Sequence, residues 1–283
     1  MPQGTVSGPK LFVILINGDK CSLVQNFKFV DDKTLALSYT GDPTETLQMA
    51  LDFELIETKK DKMIINETKC HNITFNYSQK NISPQNLKLN DKTINSESKI
   101  KLLGVTITDD LKWSKNTTEI CSKVNRKLYI ISKLKQFGLQ SEELITAWLS
   151  ILRPITEYAV PLWHSGLTDY DINRIEMLQK KALAIVLGTV YVNNRKRYRV
   201  ENELCSYNDT LQLMGLTTLI NRREVLTSKF ALDVVRSEIH SNMFVKNDSN
   251  HMDTRNRLVL KEPKCKTDRY FNSVIPYITR LVT

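Results

Sequence analysis

Two adjacent carboxylates follow an aromatic residue in Phe29-Val30-Asp31-Asp32, within a stretch whose side chains alternate as in a β-strand. At the tip of a hairpin Asp31 and Asp32 repel each other, and sharing a divalent cation relieves the repulsion. Carboxylate oxygens are the ligands that Mg²⁺, or Mn²⁺ in its place, takes up. Two such ions about 4 Å apart serve phosphoryl transfer, one activating an attacking hydroxyl and the other steadying the leaving oxygen. An Asp pair alone also suits an ordinary turn, because Asp bonds its own backbone and tolerates turn geometry. Lys69, in Asn66-Glu67-Thr68-Lys69, reads by itself as a surface lysine.

The elements that position these residues change character along the chain. Val24 to Val30 alternates, with Phe27 and Phe29 on one face and Asn26 and Lys28 on the other, and Thr34 to Tyr39 alternates again. Two strands joined through Asp31-Asp32-Lys33 make a hairpin. Met63-Ile64-Ile65 and the series Ile73, Phe75, Tyr77 predict further strands, whereas Gln79 to Ser98 predicts loop with at most a short strand. After Trp113 the period becomes helical. Ile120, Val124, Leu128, Ile131 and Leu134 keep one stripe with lysines and arginines largely off it, and Gly138 is a stop. Ser141 predicts the cap of a second helix, ended or kinked by Pro154. Thr168 and Asp171 open a third helix that reaches Gly188, and a fourth starts near Thr218. Beyond Ser237 the signals fade.

Composition narrows the function. Of 283 residues 41% are hydrophobic and 25% charged, enough for a substantial core, and a net charge of +9 favours a polyanionic partner. No apolar run approaches the ~20 residues that span a bilayer, and the first residues do not form a secretory leader; an intracellular protein without a membrane anchor is expected. The five cysteines are scattered and odd in number, so neither a zinc pair nor a disulfide framework is read from them. Arg195-Lys196-Arg197-Tyr198-Arg199 is open to three readings: a nucleic-acid contact with Tyr198 stacking on a base, a nuclear-import signal, or a solvated loop. Trp163-His164 has no nucleophile in a recognisable motif beside it and reads as a packed aromatic corner.

The order of motifs is more specific than any one of them. Pro2-Gln3-Gly4, Phe29-Val30-Asp31-Asp32, Asn66-Glu67-Thr68-Lys69, Leu102-Leu103-Gly104-Val105, Leu152-Arg153-Pro154, Leu162-Trp163-His164 and Arg222-Arg223 follow one another collinearly. This series resembles the reverse transcriptases of non-LTR, LINE-like retrotransposons, over residues 1 to about 235. The resemblance implies an α+β fold: a partial polymerase palm, an antiparallel sheet with the catalytic hairpin, over residues 1–113, a mainly helical thumb over 114–235, and a C-terminal extension over 236–283. It implies RNA-directed DNA synthesis from deoxynucleoside triphosphates on an RNA template and a DNA primer. Asp31 and Asp32 would hold the catalytic metal, Lys69 would act near the triphosphate, Gln3, Gly4 and Phe29 would lie at the template and incoming nucleotide, and Leu103-Gly104 would grip the primer. The family's further metal aspartate comes from a strand ahead of its Pro-Gln-Gly element, and neither it nor the fingers is matched here. The expectation is a segment inactive alone, or a non-catalytic nucleic-acid-binding relic.

Overall fold

The computed structural model describes residues 21–77, 86–200, 203–245 and 260–283. Gln3 and Gly4 lie outside the described residues. The chain divides between Ile100 and Lys101 into two units, and the mixture of helices with small antiparallel sheets is an α+β architecture.

In the first unit β1 (Gln25–Phe29) pairs antiparallel with β2 (Asp32–Ala36). Next comes α1 (Thr44–Lys60), a helix that the alternating reading of this region misses. Asp42 accepts the Thr44 backbone N–H at 2.9 Å, Glu45 stands in the first turn, and Lys59 and Lys60 close the last, all favourable to the helix dipole. Its apolar residues do not make a single stripe. Ala50 joins Cys21, Val24, Leu35 and Phe53 in one cluster, while Leu51 and Leu55 join Leu87, Leu89 and Ile94 in another. A helix that serves two clusters has no clean polar face, which hides its period. The second cluster is built on a hairpin of β3 (Leu87–Leu89) and β4 (Lys92–Ile94), turned by Asn90 at φ 50°. The strands expected at Met63–Ile65 and Ile73–Tyr77 do not form; Ile64 is 96% exposed, and Asn72 makes only an isolated bridge to Ser96. Alternation specifies a strand only where a neighbour completes the ladder.

The second unit begins with the hairpin of β5 (Lys99–Leu102), whose first residues precede the boundary, and β6 (Val105–Thr108). α2 (Ser114–Gln136) follows, and Gly138 at φ 89° ends the run. Ile120, Val124, Leu128 and Ile131 are buried as their spacing predicts. α3 (Ser141–Ala147) is capped one residue earlier than expected: Gln140 is the N-cap, and its backbone N–H is held by the Glu143 carboxylate at 2.8 Å. Pro154 does not end the helical path. A π-turn at Trp148–Leu152 widens the helix before α4 (Arg153–Glu157), and this extra width accommodates a proline ring that lacks an N–H. α5 (Val160–Trp163) leads to α6 (Asp169–Leu187), where Thr168 caps Asp171 and Gly188 at φ 76° terminates. A three-stranded sheet of β7 (Thr189–Val192), β8 (Arg195–Val200) and β9 (Glu203–Cys205) comes next, then α7 (Tyr207–Leu213) and α8 (Leu219–Arg236).

The main core gathers Trp148, Leu152, Trp163, Ile175 and Leu178, none more than 2% exposed, and burying each such side chain contributes roughly 1.5–3 kcal/mol. Past Ser237 the chain is more ordered than its sequence signals: α9 (Asp268–Phe271) precedes α10 (Val274–Val282), and Ile278 packs with Ala231, Val235, Phe244 and Leu260. Among the described residues no helix is long and apolar enough to cross a membrane.

Candidate functional site

The Asp31-Asp32 hairpin is tighter than its sequence suggests. Phe29 pairs with Asp32, so the connection is Val30-Asp31 alone, and Asp32 and Lys33 belong to β2. Val30 stands at φ 55°, a left-handed conformation that costs a β-branched residue about 1–3 kcal/mol and persists only where the surroundings impose it. Both carboxylates and Phe29 are exposed, and neither aspartate has an ion-pair or hydrogen-bond partner among the described residues. One residue on, the Lys33 ammonium pairs with Oε2 of Glu54 on α1, whose side chain is only 7% exposed and whose Oε1 is buried without a hydrogen-bond partner among the described residues. This ion pair ties the hairpin to α1. The sequence offered one signal for it: Glu54 stands four residues after Ala50, on the face of α1 that turns inward.

Lys69 ends a short 3₁₀ turn, Glu67–Lys69. Asn66 caps the turn by accepting the Thr68 N–H at 3.1 Å and hydroxyl at 2.6 Å, and the Glu67 carboxylate accepts the Asn90 side chain at 2.5 Å. Cys70 packs beside it into the β3–β4 cluster. Burial, and then Glu67, push its thiol upward, so it is not a poised nucleophile. The Lys69 ammonium is exposed and unpaired among the described residues. No hydrogen bond or ion pair joins Lys69 to the aspartates; α1 packs against the elements that carry both.

Leu103 and Gly104 connect β5 to β6 with φ values of 46° and 84°. A leucine is an unusual occupant of the first position, and Tyr158 holds it there: its hydroxyl donates to the Leu103 carbonyl at 2.7 Å, and a Cβ at Gly104 would lie 3.3 Å from its ring. Next to this turn is a cavity of about 380 Å³ whose lining includes Gly104, Glu119, Lys123, Lys127 and Tyr158. Burial, and the neighbouring Lys101, pull the Lys123 ammonium below its usual range, with Glu119 of the same lining acting the other way.

Comparison with known proteins adds to this geometry. The chain is 24% identical over 228 residues to the RNA-directed DNA polymerase from mobile element jockey of Drosophila melanogaster, covering 75% of this chain and 24% of that protein. It is 22% identical over 217 residues to the probable RNA-directed DNA polymerase from transposon X-element of the same organism, covering 70% and 23%. The chain is similar to the reverse transcriptases of LINE-like, non-LTR retrotransposons. It spans about a quarter of the length of these curated relatives. No family model matches it, and no solved structure does.

In the helical unit Arg153, His164, Arg222 and Arg223, which carry the resemblance to LINE-like reverse transcriptases, are structural, together with Glu157, Glu176 and Gln179. Glu157 accepts from Arg222 at 3.1 Å and forms an ion pair with Arg153. Glu176 accepts the first backbone N–H of α8, from Leu219, at 2.9 Å and also the Tyr207 hydroxyl, and Gln179 donates to the Thr217 carbonyl at 2.9 Å. His164 is buried against Tyr277 and beside Arg223; burial, and then the guanidinium, lower its pKa to about 4. With the Trp163 indole N–H donating to the Tyr158 carbonyl at 3.0 Å, the packed aromatic corner read from Trp163-His164 is what the structure contains.

One expectation is reversed. Tyr198 is 2% exposed, its hydroxyl directed to the Lys180 carbonyl at 3.5 Å, so it cannot stack on a base, and the run Arg195 to Arg199 is a central strand rather than a loop. Among the described residues no group of three or more His, Cys, Asp or Glu stands close enough to hold a metal ion.

Proposed function

We propose that this chain is the palm-hairpin and thumb portion of a LINE-like reverse transcriptase, with residues 1–113 contributing palm, 114–235 thumb and 236–283 a C-terminal extension. The similarity to two RNA-directed DNA polymerases along 70–75% of the chain carries the reading. In this reading a DNA primer is extended on an RNA template by transfer of a nucleotide from a deoxynucleoside triphosphate to the primer 3′ hydroxyl. Asp31 and Asp32 suit Mg²⁺ or Mn²⁺ in kind: hard oxygen donors, exposed and not engaged by any described cation. The ion, when bound, would supply charge neutralisation and a more acidic primer hydroxyl.

The chain's own residues do the positioning. The strained Val30 turn holds the Asp31 carboxylate at the hairpin tip, and the Lys33–Glu54 pair keeps a cation next to it from swinging toward the aspartates. Lys69, exposed on its 3₁₀ turn, would neutralise the departing pyrophosphate. Gln3, Gly4 and Phe29 would lie at the template and incoming nucleotide. Leu103-Gly104, braced by Tyr158, would meet the primer, with Lys123 and Lys127 at its phosphates. Two carboxylates are fewer than a two-metal site uses, so extension depends on a further acidic ligand that no described residue supplies.

The test is primer extension by a chimera in which this chain replaces the matching segment of the jockey polymerase. Loss of extension in Asp31→Ala, with a partial loss in Lys69→Met, is the expected result; extension that survives Asp31→Ala sinks the assignment. Lys123 and Lys127 in the lining of the cavity favour a second reading, a nucleic-acid-binding relic without catalysis. That reading holds instead if the chain binds an RNA–DNA hybrid while the chimera does not extend.

A further inference from the structure

Burying Tyr198 gives the basic run Arg195 to Arg199 a definite geometry. On β8 the side chains alternate, and Tyr198 and Val200 face the core with Cys205 of β9. Arg195, Arg197 and Arg199 therefore project from the opposite face. Their cross-strand neighbours agree, since residues directly opposite share a face: Arg195 stands against Val192, Arg197 against Val190, and Arg199 against Leu204. Val192 and Leu204 are 40% and 47% exposed, so this face of the sheet is open. The turn Asn193-Asn194, at φ 48° and 59°, holds β7 and β8 in this register.

Three arginines in a row would ordinarily draw carboxylates onto themselves. Among the described residues none of the three is in an ion pair; Asp209 is the acid that senses one of them, Arg197, and its carboxyl is held low chiefly by the Ser206 hydroxyl. Glu203 falls opposite Val200, on the other parity of the sheet. Such a single-sign row calls for an anionic partner with repeated charges. Alternate residues of a strand lie about 7 Å apart, close to the step between neighbouring phosphates of a polynucleotide. The guanidinium fork matches phosphate oxygens two at a time, and the flanking aliphatic side chains offer apolar surface to sugars and bases.

We infer that the open face of the β7–β8–β9 sheet is a second nucleic-acid surface, in which Arg195, Arg197 and Arg199 bind consecutive phosphates. This surface is additional to the primer contacts proposed for the Leu103-Gly104 turn and α2. It reads no base sequence, because the aromatic ring that could have done so is turned inward.

Fluorescence anisotropy on the full chain tests it, with a labelled single-stranded RNA and a labelled RNA–DNA hybrid titrated over a salt series. Arg195→Gln/Arg197→Gln/Arg199→Gln is expected to weaken binding of one probe by roughly tenfold or more. It should flatten the dependence of log affinity on log salt by about 2 for a single strand or about 3 for a duplex, at ~0.7 or ~0.9 per phosphate contact. The size of the change identifies which form is bound. The triple Arg→Lys variant keeps the slope. Should the Gln variant unfold by circular dichroism, Arg195→Gln/Arg199→Gln, confined to the two exposed positions, is expected to give about two thirds of that slope change. If the wild-type chain binds and only Lys123→Gln/Lys127→Gln weakens it, the inference fails while the proposed function stands; if the wild-type chain binds neither probe, both fail. Poly-glutamate competing as well as RNA also overturns it, in favour of an acidic protein partner.

Discussion

The residues that could do chemistry and the residues that hold the molecule together lie in different units. Asp31, Asp32 and Lys69 sit on short elements around α1, where among the described residues the buried apolar side chains are Cys21, Val24 and Ala50 in one cluster and Leu87, Leu89 and Ile94 in the other. The helical unit instead packs α2, α3 and α6 around two buried tryptophans and locks their ends with Glu157, Glu176 and Gln179. Among the described residues the first unit carries small apolar clusters with the Lys33–Glu54 pair and the Asn66 and Asn90 turns, and the second a larger apolar core. Asp31, Asp32 and Lys69 are exposed, with side chains unpaired among the described residues, whereas Trp163 and His164 of the second unit are buried.

The comparison can be broken in several places, beginning where the effect is largest. Asp31→Ala is expected to lower primer extension by the chimera by at least about 10³-fold, with the thermal midpoint of the helical unit unchanged; a shifted midpoint would show that chemistry and stability are not separated. Trp163→Ala should cost about 3–5 kcal/mol in denaturant unfolding, because it leaves a cavity and removes the bond to Tyr158. A cost below about 1 kcal/mol would mean that the helical core is not the dominant support.

Acid should sharpen the contrast next. His164 titrates near pH 4 in the fold against 6.5 when unfolded, so between those values the unfolded chain takes up a proton that the folded one refuses. The stability is fully present above pH 6.5 and falls as the pH drops toward 4, by about 3 kcal/mol at most. Unfolding of wild type and His164→Leu at pH 7 and pH 4.5 measures it, and equal pH slopes would count against the burial argument. Lys33→Met leaves Glu54 buried without its cation, and about 2 kcal/mol is expected to be lost. Hydrogen exchange should show the loss within residues 21–100 alone. Tyr158→Phe, the smallest, gives up one hydrogen bond to the Leu103 carbonyl, about 1 kcal/mol, and should quicken exchange at the 103–104 turn.

Legibility in the sequence followed the same division. In the helical unit the stops at Gly138 and Gly188 and the caps at Thr168 and Thr218 stand where local chemistry puts them. The inward face of α8 differs from the stripe that the spacing of Leu219, Leu226, Phe230 and Val234 predicts: it buries Arg223 and Thr227 with Leu219 and Ala231, whereas Phe230 is 41% exposed. The first unit was harder to read. Its hairpin was clear from alternation, but α1 was not, because its apolar residues divide between two clusters. Met63 to Ile65 and Ile73 to Tyr77 look like strands and have no ladder to join. Of the candidate site, the Asp pair, Lys69 and the Leu103-Gly104 turn were visible as motifs. Lys33, Glu54 and Tyr158, which hold two of those motifs in place, were not, since their roles come from partners 21 and 55 residues away.

The sequence by itself determined the likeness to LINE-like reverse transcriptases, the hairpin that carries Asp31 and Asp32, and the caps and stops of the long helices, since each is written in residues near one another in the chain. Tertiary structure alone decided that Tyr198 faces the core while its three arginine neighbours face out, that Pro154 is absorbed by a π-turn, and that α10 packs on α8. Which face of an element is buried depends on what lies across from it, and a local pattern does not contain that partner.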